Sequence, residues 1–136
     1  MTPQEISLVK ATFAQVRPIA EQAAALFYGR LFEIAPRVRP LFKGDMTEQG
    51  RKLMATLGTV VASLDNLGPV LPVASALAKR HVAYGVKADD YADVGEALLW
   101  TLEKGLGTAW TADAKAAWTA AYGTLSGYMI AEAYGA

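Results

Sequence analysis

The chain has 136 residues, with 13 basic and 13 acidic side chains, one histidine and no cysteine. That length makes one domain with a core of useful size. Zero net charge supplies neither a basic footprint for nucleic acid nor a polybasic membrane patch, and the lack of cysteine excludes disulfides, thiolate zinc, iron–sulfur clusters and attachment of a cofactor through a Cys-x-x-Cys-His run. The start, Met1-Thr2-Pro3-Gln4-Glu5, has no basic-then-apolar signal pattern. Proline or charge interrupts every apolar run before the roughly twenty residues of a membrane span. A soluble, cytoplasmic protein with no membrane partner is expected.

Thr2-Pro3-Gln4-Glu5 is a capping box with proline at the first helical position, so a helix begins there. Ile6, Val9, Phe13 and Val16 follow at helical spacing until Pro18, which can open the next helix. That second helix carries Ala23, Phe27, Leu31 and Ile34 on one stripe and ends before Pro36. Pro36-Arg37-Val38-Arg39-Pro40-Leu41-Phe42 is too rich in proline for a long helix and predicts one tight helical turn.

A third helix is expected from about Met46, with Asp45 and Glu48 as its capping pair and Leu53, Leu57, Val60, Val61 and Leu64 on one face, ending at Asn66-Leu67-Gly68-Pro69. A shorter one follows Pro72, carries His81 near its C-terminal end and stops at Gly85. After Lys87-Ala88-Asp89-Asp90 comes a long helix with Tyr91, Val94, Leu98, Thr101 and Leu102, closed by Gly105 and Gly107. Thr111 opens the last, whose inner face holds Trp118, Ala121, Tyr122, Leu125 and Met129. No period-2 alternation and no internal repeat occur, so the class is all-α, with about six substantial helices and one short corner. Such helices pack by ridges and grooves and can enclose a flat cofactor.

Taken singly, the polar residues of interest have ordinary explanations. A lone histidine is most often a surface or satisfied core residue. Phe42 alone is a core phenylalanine, Tyr28 a helix tyrosine with a wet tip, and Gln49 an exposed glutamine at a helix start. Trp100, Trp110 and Trp118 are packing anchors. The order and context of these residues carry more weight.

Leu26-Phe27-Tyr28-x-x-Leu31-Phe32 followed by Pro36-x-x-x-Pro40-Leu41-Phe42 resembles the second helix and the tight corners of globins, and more narrowly those of bacterial haemoglobins and the haem domain of flavohaemoglobins. Gln49-Gly50-Arg51-Lys52-Leu53-Met54 is similar to the distal helix of that family. Lys79-Arg80-His81, with Tyr91 and Val94-Gly95, resembles its proximal region, and Trp118-x-x-Ala121-Tyr122-Gly123 its last helix. The blocks span essentially the whole chain in the family's order.

The resemblance implies a single globin domain over residues 1–136, a three-over-three helical sandwich with a short C corner, and a non-covalent haem b (iron protoporphyrin IX). His81 would be the axial ligand to iron, as neutral imidazole is in globins; as the sole imidazole it leaves no second histidine for the sixth position. Phe42 would wedge the porphyrin. Gln49 and Leu53, one helical turn apart, would share the distal face with Tyr28, and the phenol and amide can donate to bound dioxygen. Lys52 and Arg80 would meet the haem propionates, or serve only as solvated surface charge. Tyr91 matches the tyrosine that begins the family's fifth long helix.

The implied partners are dioxygen and other diatomic ligands, with nitric oxide dioxygenation as a further activity. Because the sequence ends at Ala136, the flavin and nicotinamide domains of flavohaemoglobins are expected to be absent and electrons to come from a separate reductase. The alternatives are a haem-based sensor and a haem-free globin-like interaction module; a peroxidase-type enzyme would lack a distal histidine as acid–base catalyst. Oligomeric state is not encoded in any motif. One departure stands out. The glutamate that bonds the proximal histidine in some bacterial haemoglobins falls on Ala133, with Glu132 beside it and turned about 100° around the helix. Either a local irregularity brings Glu132 to His81, or the carboxylate partner is missing.

Overall fold

Thr2 caps the first helix from both sides: its hydroxyl accepts the Glu5 N–H at 3.1 Å while Glu5 Oε1 accepts the Thr2 N–H at 2.9 Å. The computed structural model describes residues 1–135. Six α-helices follow one another: α1 (Pro3–Val16), α2 (Ala20–Ile34), α3 (Met46–Ala62), α4 (Leu71–Tyr84), α5 (Asp90–Leu106) and α6 (Ala112–Tyr134). Short 3-10 turns occupy Arg17–Ile19, Pro36–Leu41 and Gly107–Ala109, and no strand occurs among the described residues.

The helix ends follow the local chemistry with small departures. Asp45 caps α3, but its carboxylate accepts from Thr47 N–H at 2.9 Å and not from Glu48. Helix α3 stops at Ala62, short of the Asn66–Pro69 breaker, because Ser63 and Leu64 already turn back onto the Val60 and Val61 carbonyls. At the end of α4, Gly85 adopts φ +98°, a left-handed conformation open to glycine, and Val86 N–H reaches back to the His81 carbonyl at 3.0 Å. Helix α5 runs through Gly105 and ends at Gly107. Thr111 caps α6 by accepting from Ala114 N–H at 3.1 Å.

Helix α2 packs on α5 and α3, α1 lies along α6, and α4 docks on α6. This is the three-over-three helical sandwich with a short corner. The α2–α3 crossing is very close: a Cβ added at Gly50 would sit 2.9 Å from Ala24 Cβ. Two hydrophobic clusters result. The larger joins α1, α2, the corner, α3 and much of α5 and α6 around Val9, Phe27, Leu31 and Trp118. The indole of Trp118 donates to Thr12 Oγ1 at 2.8 Å, so its one polar atom is satisfied in the core. The smaller cluster joins α4 to the start of α5 and the end of α6 around Ala74, Ala78, Tyr91 and Met129. Helices α3 and α4 are consecutive, yet each packs mainly on other helices, α3 on α2 and α4 on α6.

Candidate functional site

Tyr28 is buried on α2, at 9% exposure, among aromatic rings. Phe27 and Phe42 meet it edge-on at 5.1 and 5.3 Å between centroids, and Phe32 stacks on it at 6.0 Å. Burial pushes its phenol up from the ordinary value of 10.0 to about 12, so it is a neutral donor across the physiological range. Its hydroxyl donates to the main-chain carbonyl of Gln49 at 3.3 Å, a long bond. Gln49 lies in the first turn of α3 and is half-buried. Phe42, just after the Pro36–Leu41 turn, is half-buried against Tyr28 and Phe32. Leu53, one turn beyond Gln49, lines a small apolar cavity of about 20 Å³ with Phe27, Leu57 and Trp118. A broader groove of about 410 Å³ runs between α2 and α3 along Tyr28, Phe32, Gly50 and Met54. Tyr28, Phe42 and the Gln49 carbonyl are therefore brought together beside the larger cluster, with Leu53 one turn further along α3 in the same cluster.

His81 and Tyr91 belong to the smaller cluster's side. The imidazole sits in the last turn of α4, half-buried, with the Tyr91 ring edge-on at 6.4 Å and Tyr84 at 6.3 Å. Desolvation lowers its pKa, the Arg80 charge lowers it further, and the Leu77 carbonyl one turn back opposes both. The two lowering effects favour the neutral imidazole, which offers a nitrogen lone pair. Its Nδ1 is buried without a partner in hydrogen-bonding geometry, and so is the Tyr91 hydroxyl. The Tyr91 main-chain carbonyl, in contrast, accepts the Tyr122 hydroxyl at 2.5 Å.

Lys52 and Arg80 are exposed, and among the described residues neither forms an ion pair. Glu132 is bound elsewhere: Ser75 Oγ donates to its Oε1 at 2.9 Å and the Tyr128 hydroxyl to the same oxygen at 3.4 Å. Of the two arrangements left open above, the second holds, and His81 has no carboxylate partner. Ser75, buried on α4, passed unnoticed in the sequence because a serine in a helix carries no pattern. Arg37 and Asp90 were likewise missed: the Arg37 guanidinium grips Asp90 from 53 positions away. An aspartate at a helix start signals only capping, and nothing local announces its distant partner.

Among the described residues no cluster of three or more His, Cys, Asp or Glu could hold a metal by itself. No helix there is long and apolar enough to cross a membrane.

An all-helical sandwich with its single imidazole at the end of one helix and an aromatic corner on the other cluster has the globin architecture. The chain belongs to the globin family: the Globin family model matches residues 25–129. A flavohemoprotein of Bordetella parapertussis is 35% identical over 133 residues, covering 96% of this chain, and one of Halalkalibacterium halodurans is 32% identical over 126 residues, covering 90%. The chain spans about a third of the length of these relatives, 33% and 31%. Among solved structures, a bacterial globin from Campylobacter jejuni superposes with a TM-score of 0.84 at 25% identity, covering 96% of this chain and 95% of that one.

Proposed function

We propose that this chain is a haem protein that binds dioxygen and other diatomic gases reversibly, and that it dioxygenates nitric oxide when a separate reductase supplies electrons. The observation that carries this reading is the divided core, with the sole imidazole on one side and the Tyr28, Phe42, Gln49 and Leu53 group on the other. The residues fit a haem b: a neutral imidazole, half-buried apolar chains on both clusters, and unpaired surface cations at Lys52 and Arg80.

His81 would provide the axial nitrogen. Phe42 and Leu53 would cover the macrocycle and Tyr91 would back the imidazole, while Lys52 and Arg80 would meet the propionates. When bound, the haem supplies the iron for a gas ligand and the redox couple for turnover. Tyr28 and Gln49 would donate hydrogen bonds to a polar gas ligand and leave a nonpolar one unaided. The flavohemoprotein relatives support a need for reducing equivalents in this chemistry.

The absorbance spectrum of purified protein tests the proposal. An intense Soret band with oxygen-dependent visible bands is expected. No such band after haem addition would leave a haem-free globin-like module, and rapid peroxide consumption would point to a peroxidase.

A further inference from the structure

Asp90 is 4% exposed and its carboxylate takes three hydrogen bonds. Arg37 Nε donates to Oδ1 at 3.1 Å, Arg37 Nη2 donates to Oδ2, and Lys87 N–H donates to Oδ2 at 2.8 Å. Arg37 lies in the Pro36–Leu41 corner, whose next residue is Phe42. Lys87 follows Gly85, the residue that stops α4 four positions after His81. The same corner also touches that stop through an apolar side chain, since a Cβ built on Gly85 would lie 3.2 Å from Leu41 Cδ2. The corner carrying Phe42 is thus tied to the first residue of α5 by a two-pronged ion pair, and it reaches the end of the helix carrying His81 through the Lys87 N–H on the same carboxylate and the one apolar contact at Gly85.

Helix α4 is lightly anchored. It packs mainly on α6, and its cluster holds four buried apolar residues among those described. We propose that Arg37 is a positioning residue: through Asp90 it holds the C-terminal turn of α4, and His81 with it, against the Phe42 corner, and so sets how long the chain retains its haem. The inference rests on the haem reading above. Guanidinium matches a carboxylate in two parallel bonds, whereas a lysine at the same place supplies a single point charge. The Arg37 side chain is 46% exposed, so added salt weakens its grip.

The test uses holoprotein of the wild type, Arg37→Ala, Arg37→Lys and Asp90→Asn, with Lys10→Ala, which removes the surface pair to Asp65, as control. Haem transfer to excess apoglobin gives the loss rate, and resonance Raman of the ferrous form gives the iron–histidine stretching band. Loss roughly tenfold faster in Arg37→Ala and Asp90→Asn is expected, with Arg37→Lys intermediate and Lys10→Ala unchanged. The Raman band should shift or broaden in Arg37→Ala and return toward the wild-type position in Arg37→Lys. Unchanged loss and band in Arg37→Ala overturn the assignment. Failure of all three variants to fold as apoproteins also overturns it, marking a general structural contact. Wild-type protein that takes up no haem overturns the haem reading itself, and this inference with it.

Discussion

Tyr28 and Gln49 meet through a main-chain atom: the phenol donates to the Gln49 carbonyl, and the Gln49 amide is not its acceptor. The aim of the phenol is therefore set by the start of α3 and by the Phe27, Phe32 and Phe42 rings, whatever side chain stands at position 49. At 3.3 Å this bond is weak enough to be exchanged for a better acceptor.

Tyr28→Phe keeps the ring and its packing and deletes the donor. Dioxygen release should become roughly tenfold faster, the worth of one hydrogen bond to a partly charged acceptor, while carbon monoxide release changes less. Gln49→Leu, which retains the carbonyl, should have the smaller effect, and the double mutant should be non-additive if both donors serve one ligand. Stopped-flow release that is unchanged in Tyr28→Phe would make Tyr28 a packing residue.

His81→Ala should greatly weaken haem retention, with partial recovery on adding imidazole. The ferrous wild-type protein without gas should be five-coordinate, because the chain has no second histidine. A sharp six-coordinate low-spin spectrum would reveal an internal distal ligand.

Glu132 is occupied by Ser75 and Tyr128, so it lends no charge to the imidazole. Glu132→Ala should leave the iron–histidine band where the wild type has it. A marked downshift would show that the carboxylate acts on His81 after all.

Alkaline stability should be governed by buried phenols. Burial raises both Tyr28, to about 12, and Tyr122 above the ordinary 10.0. The unfolded chain therefore ionises first. The stabilisation is intact below pH 10 and is lost as pH climbs toward 12. Tyr28→Phe should move the alkaline unfolding midpoint upward, as followed by circular dichroism; an unmoved midpoint would place the sensitivity elsewhere.

Gly95→Ala tests the packing behind Tyr91. A Cβ there would lie 2.7 Å from Tyr122 Cε2, so the ring that donates to the Tyr91 carbonyl must shift. A cost of about 1–3 kcal/mol in thermal or urea unfolding is expected, and an unchanged midpoint would show that Tyr122 moves freely.

Much of this fold was legible because its determinants are local. The Thr2–Glu5 box, the glycine at 85 and the Thr111 cap each act within four residues, and each helix start or stop they announce occurs. The helical stripes likewise gave the core positions Phe13, Phe27, Leu31 and Trp118. What stayed hidden depends on distance in the chain. Arg37–Asp90 spans 53 positions, Ser75–Glu132 spans 57 and Trp118–Thr12 spans 106. The stripe gave Glu132 a direction about its own helix but could not say which partner on α4 would claim it. Family resemblance grouped Tyr28 with Gln49, but the carbonyl that joins them belongs to the fold and not to any side-chain pattern.

The crossing at Gly50 and Ala24 limits how this site can be altered. No methyl group fits between α2 and α3 there, so the two backbones carrying Tyr28 and Gln49 cannot be drawn nearer, and a larger residue at position 50 would wedge them apart. Gas affinity in descendants or designs of this chain is thus adjustable by exchanging side chains on a rigid frame, one hydrogen-bond donor at a time, and hardly at all by gradual respacing of the frame.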